Sequence, residues 1–225
     1  ARIAARKRGD RKLRFASCQK EGVHEASLPV KKKDAKLWAN YLSGVLCEFE
    51  KLGVNLPGLD ILLDSSVPLG SGLSSSAAIE VAMATLVSFM LDRQDDPLQL
   101  ALLAQRAENQ FVGVNCGLMD QAASSCSKEG HCLLLDCAKP DYQWVSFPSD
   151  ALTVVIAHSG VRRGLSQSAY NERRSQCEES LVMINREAGR NYPNLCAVDL
   201  STFETVAEKL PDVLRRRSRH VVSET

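Results

Sequence analysis

The segment that most constrains this chain is Pro68-Leu69-Gly70-Ser71-Gly72-Leu73-Ser74-Ser75-Ser76-Ala77, a Gly/Ser loop set between an extended run and a helical one. Before it, Leu59-Asp60-Ile61-Leu62-Leu63-Asp64 reads as a strand. After it, Ala77 to Leu91 is apolar, rich in small residues and free of Gly and Pro, the pattern of a buried helix. Gly70 and Gly72 lack Cβ atoms, so the backbone can turn tightly and approach a ligand closely. The serines that follow open a helix, whose first N–H groups have no internal partners and carry partial positive charge. A phosphate chain suits such a terminus, and serine hydroxyls add donors and can ligate magnesium. No Gly-Lys-Ser/Thr follows, so this is not a Walker A loop. On spacing alone, a serine-capped helix after a tight turn accounts for the pattern equally well.

The flanking sequence indicates an α+β chain. Ile3-Ala4-Ala5-Arg6 and Lys12-Leu13-Arg14-Phe15-Ala16 surround Gly9-Asp10 and predict a hairpin. Leu37, Trp38, Tyr41, Leu42, Val45, Leu46 and Phe49 recur with helical spacing between Ala35 and Leu52, with Gly53 as terminator. Asp95-Asp96-Pro97 supplies a cap and a first-turn proline for a helix to about Asn109. A short helix is expected from Met119. Strands are expected at Cys132–Asp136 and Leu152–Ala157, a long helix from Ser166, and mostly helix from Asp199.

Lys and Arg total 28 against 27 Asp and Glu, which argues against a nucleic acid or an anionic membrane as dominant partner. The basic stretches Ala1–Arg14 and Arg215–Arg219 read as solvated faces. No signal peptide and no long uncharged apolar run is present. Eight cysteines lack Cys-x-x-Cys or zinc-type spacing, so free thiols in the cytoplasm are expected. The chain opens on Ala1 in strand-like residues and closes at Thr225 just after a helical stretch, so an interior piece of a longer protein is expected.

Two further stretches carry candidate chemistry. Glu108 and Asp120 could divide the work of a phosphate site, one holding magnesium and the other orienting an acceptor hydroxyl. Twelve positions separate them, and a surface helix residue plus a helix cap is the simpler reading of each alone. The stretch His158 to Ser166, followed by Tyr170, Arg173 and Arg174, suits a polar substrate at the mouth of a helix, or an ordinary basic helix face.

Taken in order, these stretches resemble the galactokinase branch of the superfamily that also holds homoserine, mevalonate and phosphomevalonate kinases. Pro68–Ala77 is similar to that superfamily's second motif, Pro-x-x-x-Gly-Leu-x-Ser-Ser-Ala. Cys116-Gly117-Leu118-Met119-Asp120-Gln121 resembles the more specific Cys-Gly-Ile-Met-Asp-Gln stretch of galactokinases, and Ala107-Glu108-Asn109 stands where they have Ala-Glu-His. Val161-Arg162, Tyr170, Arg173-Arg174 and Cys177-Glu178 resemble their substrate-side helix.

The resemblance implies a GHMP-kinase-type N-terminal domain of the ribosomal S5 domain 2-like fold over residues 1–160. The start of a helical, ferredoxin-like C-terminal domain would follow over 161–225. It implies ATP and Mg2+ as cofactors and a small sugar as substrate, phosphorylated at its C1 hydroxyl. Asp120 would be the catalytic carboxylate. Pro68, Gly70, Ser71, Gly72, Leu73, Ser74, Ser75 and Ser76 would cradle the nucleotide, Ser75 and Glu108 would hold magnesium, and Gly117, Asp120, Arg162 and Tyr170 would line the sugar pocket. The family's first motif, Gly-Glu-His-Thr-Asp-Tyr, and its third, glycine-rich motif are absent, which implies a piece inactive by itself with open sheet edges. His158-Ser159-Gly160 and Arg163-Gly164 depart from the galactokinase pattern, so galacturonate, arabinose or N-acetylgalactosamine stand beside galactose as substrates. A non-catalytic sugar- and ATP-binding sensor is the rival of another class. The intact Ser74-Ser75-Ser76-Ala77-Ala78 favours the enzyme.

Overall fold

The computed structural model describes residues 1–31, 38–137, 139–158, 160 and 166–224. They form two compact units, Ala1–Gly164 and Leu165–Thr225.

In the first unit, β1 (Arg2–Arg8), β2 (Lys12–Ser17), β3 (Lys20–Ser27) and β4 (Gly58–Asp64) make one sheet in the order β1-β4-β2-β3. The predicted hairpin between Ile3–Arg6 and Lys12–Ala16 is therefore corrected. Both runs are strands, but β4 lies between them, antiparallel to β1 and parallel to β2. β2 makes its hairpin with β3 instead, a strand whose mixed polar sequence gave no strong signal. The physical reason is burial. Leu59, Ile61 and Leu63 of β4 are almost wholly buried, which suits a central position with a neighbour on each side. Two local features admit β4. Asp60 accepts Arg6 Nη2 and Arg8 Nη1, each at 2.6 Å, and this locks it to β1. Gly58 passes directly under the turn after β1, where a Cβ would fall on the Asp10 carbonyl and lie 2.8 Å from that of Lys12.

Helices α1 (Ala39–Lys51) and α2 (Ser75–Met90) contribute to the core of this unit. α1 buries Leu42, Val45, Leu46 and Phe49 against Leu13 and Phe15 of β2 and Leu59 and Ile61 of β4. The expected start of α1 near Ala35 falls outside the described residues. α3 (Pro97–Arg106) starts where the sequence predicts, the Asp96 carboxylate accepting the Leu98 N–H at 2.8 Å. It runs into a single π-helical turn, Ala107–Val112. α4 (Met119–Cys126) follows, then a two-stranded hairpin of β5 (His131–Asp136) and β6 (Asp141–Ser146). The predicted strand at Leu152–Ala157 does not form. No described strand runs beside it, so its N–H and C=O groups have no ladder, and Leu152, Val154, Val155 and Ile156 are exposed.

The second unit contains α5 (Ser166–Ala188), α6 (Leu200–Val206) and α7 (Asp212–Ser223) around Ile184, Phe203, Val206, Leu214 and Val222. Asp199 caps α6, accepting the Thr202 N–H at 2.7 Å, the Ser201 hydroxyl at 2.6 Å and the Tyr192 hydroxyl at 3.0 Å. Among the described residues no helix is long and apolar enough to cross a membrane, and the eight cysteines are free.

Gly58→Ala is expected to destabilise the chain by about 1–3 kcal/mol in urea unfolding, because backbone rather than a side-chain tip must yield. Gly9→Ala, whose Cβ would meet nothing within 4 Å, should stay within about 0.5 kcal/mol. Asp199 is held well below its ordinary value of 3.8 by the Ser201 hydroxyl and then by the Thr202 N–H and hydroxyl. Its ionised form is thus favoured on folding, so its contribution is full above that value and is lost as pH falls below it. Asp199→Ala should melt below wild type at pH 7, with the gap closing as the pH is taken down towards 2; a constant gap would contradict this.

Candidate active site

The Gly/Ser loop bends through three residues with positive φ: Gly70 at 70°, Gly72 at 79° and Ser74 at 57°. Glycine takes this conformation freely, whereas for serine it is sparsely populated, so the surrounding loop holds Ser74 there. Ser71 Oγ donates to the Pro68 carbonyl at 2.8 Å and closes the loop on itself. Ser74 is the N-cap of α2, and no side chain caps that end. The first N–H groups of a sixteen-residue helix are thus without a side-chain cap, beside the half-buried Ser75 and Ser76.

Glu108 is not a surface helix residue. It lies in the π turn and is only 5% exposed. Its carbonyl accepts the N–H groups of Gly113, at 2.9 Å, and Val114, at 3.2 Å, which closes the wide turn. Such turns recur at functional sites because they re-aim a side chain without ending the helix. α1 presses on this one through Gly44, where a Cβ would meet Phe111 Cβ at 3.1 Å and the Ala107 carbonyl at 3.2 Å.

The Glu108 carboxylate faces α2 and α4. It accepts Gln121 Nε2 at 2.7 Å and the Cys116 thiol at 3.5 Å, and it is hydrogen-bonded to the Ser76 hydroxyl. Behind it stands Glu80 of α2, fully buried and sharing the Gln121 amide at 3.3 Å. Burial and then the charge of Glu108 push Glu80 well above the usual carboxyl range. It hydrogen-bonds to Glu108 through one oxygen, while Oε1 has no partner. Burial also raises Glu108, opposed by its hydrogen bonds to Glu80, Ser76 and Cys116, and the charge of Asp120 adds to the rise. The Cys116 thiol is pushed up to about 12 by burial and then by the Glu108 charge.

Ser76 and Glu108, far apart in sequence, therefore meet through a hydrogen bond at the start of α2. Asp120 is half-buried in the first turn of α4 and close enough for Glu108 to feel its charge. Gly117 is exposed in the segment leading to that helix. Tyr170 belongs to the second unit, on α5, and is exposed. Arg162 lies outside the described residues. Glu80, Gln121 and the Cys116 thiol are the parts of this cluster that the sequence reading left without a role. One signal for Glu80 was available: it is the single charged residue in the otherwise apolar and small-residue helix Ser75–Met90.

The set is rich in hard oxygen donors, and the buried Glu108 and Glu80 form no ion pair among the described residues. Arg106, two residues before Glu108, is directed to Glu48 at 3.2 Å instead. A buried carboxylate with no cation beside it, next to a serine hydroxyl, fits a divalent metal of the magnesium type. Among the described residues, no group of three or more His, Cys, Asp or Glu is arranged to hold a metal by protein ligands alone. A cation here would need ligands from elsewhere, such as phosphate oxygens.

Residues 40–128 match the family model for the GHMP kinases N terminal domain. The galactokinase of Clostridium tetani is 38% identical over 224 residues, covering 97% of this chain and 56% of that protein. Lactococcus lactis galactokinase, solved in complex with galactose, superposes with a TM-score of 0.86 at 29% identity, over 99% of this chain and 58% of that one. Methanococcus jannaschii mevalonate kinase shares the fold alone, with a TM-score of 0.58 at 14% identity over 99% of this chain and 68% of its own. The chain thus spans a little over half the length of the galactokinases it matches.

At neutral pH, Cys116 should be alkylated by iodoacetamide far more slowly than the exposed Cys132 and Cys196. Peptide mass spectrometry over a time course reads this, and equal rates would mean that the thiol does not face Glu108 as described.

Proposed function

Because this chain carries a GHMP kinase N-terminal domain and the fold of galactokinases, we propose that it serves ATP-dependent transfer of a phosphoryl group to the C1 hydroxyl of a sugar, galactose or a close relative of it. The observation that carries the reading is the hydrogen bond between Ser76 and the buried Glu108 beside the uncapped start of α2, with Asp120 near enough for its charge to act on Glu108. Most catalysis in phosphoryl transfer is positioning and charge stabilisation, and this arrangement offers both.

In this reading the triphosphate lies on the loop from Pro68 to Ser76, against the N–H groups of α2 and the serine hydroxyls. Glu108 and Ser75 would hold the metal, and Ser76, already bonded to Glu108, would steady that carboxylate. Magnesium, when bound, supplies neutralisation of the triphosphate charge. Asp120 accepts a hydrogen bond from the attacking sugar hydroxyl and takes its proton as the new P–O bond forms, while the bond from the γ-phosphorus to the β–γ bridging oxygen breaks and ADP leaves with that electron pair. The resemblance assigns sugar contacts to Gly117, Arg162 and Tyr170. The departures at His158-Ser159-Gly160 and Arg163-Gly164 favour testing galacturonate, arabinose and N-acetylgalactosamine beside galactose. The domain division at about residue 160 and a cytoplasmic location belong to the same proposal.

A coupled ADP-release assay against these four sugars tests it, using a form of the protein extended to the length of the galactokinases it matches. Turnover is expected with at least one sugar, and little or none from the 225-residue chain by itself. Asp120→Asn should lower turnover at least about 100-fold while ATP still binds. Undiminished turnover in that variant would end the assignment of Asp120. ATP binding without turnover on any sugar would favour a sensor.

A further inference from the structure

Asp120 and Gln121 are adjacent in the first turn of α4, yet they serve different surroundings. Asp120 is half-buried, whereas Gln121 is fully buried. The Gln121 amide nitrogen lies 2.7 Å from Glu108 Oε2, 3.3 Å from Glu80 Oε2 and 3.5 Å from Cys116 Sγ. Those three atoms come from the π turn, from α2 and from the segment before α4. A primary amide nitrogen carries two hydrogens, enough for one bond to each carboxyl. The opposite amide orientation would set an oxygen against two carboxyl oxygens. The orientation adopted leaves Gln121 Oε1 buried without a partner, so this side chain forgoes part of its own hydrogen bonding to keep Nε2 on the acids.

We propose that Gln121 is a positioning residue for phosphoryl transfer: by gripping the Glu108 carboxylate it fixes where a divalent cation is held relative to Asp120. The inference rests on the reading of Glu108 as the cation ligand. Gln121 does not itself reach the reacting atoms. It acts through Glu108, and because Asp120 is the preceding residue of the same helical turn, one side-chain hydrogen bond sets the register between cation ligand and catalytic carboxylate.

The test uses the 225-residue chain and a fluorescent ATP analogue, titrated with Mg2+ and again with EDTA. Gln121→Met keeps the length and approximate volume of the side chain and removes both donors. Its affinity in Mg2+ is expected to fall roughly tenfold, the loss of a hydrogen bond to a charged group, with affinity in EDTA unchanged. In a Glu108→Gln background the same substitution should have no further effect, since its route of action is already gone. Equal losses in Mg2+ and EDTA, or additivity with Glu108→Gln, would overturn the assignment. A wild-type chain with no magnesium-linked gain in affinity would instead sink the reading of Glu108 and this inference with it. A wild-type gain that survives in Gln121→Met sinks the inference alone. Should Gln121→Met fail to fold, Gln121→Asn, one methylene too short to span both carboxyls, carries the same measurement. Failure of both variants to fold makes Gln121 a core residue first and overturns the proposal.

Discussion

The hydrogen bond from the Gln121 amide to the Glu108 carboxylate, 2.7 Å long and wholly enclosed, is the contact on which the site depends. Two carboxyls lie in the interior with no ion pair among the described residues, in a low-dielectric setting where an unmade hydrogen bond is costly. The amide donates to one oxygen of each, and the Ser76 hydroxyl and Cys116 thiol add to the shell around Glu108. α2, the π turn and α4 are thereby held in one arrangement, with the uncapped end of α2 beside it.

The rest of the first unit supports that contact mechanically. The π turn exposes Glu108 to α2 and α4 instead of solvent, and it can form because Gly44 lets α1 approach the Ala107–Phe111 backbone. α1 is in turn seated on the sheet, whose order depends on β4 entering between β1 and β2 beneath the Asp10 turn. A strand at the sheet's centre thus leads directly into the Gly/Ser loop, so the loop starts from a well-buried anchor. Loops carried on rigid elements are the usual place for chemistry.

The family resemblance and the geometry bear on different links of the chain of inference. The match over residues 40–128 and the likeness to galactokinases show a GHMP kinase N-terminal domain in the GHMP kinase fold. Side-chain geometry adds which residues touch. It pairs Ser76, next to the expected metal ligand Ser75, with Glu108, and it reveals Glu80 and Gln121 as the buried backing of that acid.

Local order was legible from the sequence wherever one segment decides its own conformation. The Asp96-Pro97 cap, the apolar stripe of α1, the β4 strand and the Gly/Ser loop all follow from residue types at short spacing, because capping, periodicity and tight turning are local effects. The motif stretches around Glu108 and Asp120 were legible too, by resemblance. Tertiary structure alone decided what meets what. It put β4 where a β1–β2 hairpin was expected, left Leu152–Ala157 without a strand to pair with, and buried Glu108 against Glu80 and Gln121. The reason is the same in each case: strand order and the partners of a buried carboxyl are set by competition among segments distant in sequence for the same interior surface, and no local pattern encodes the outcome.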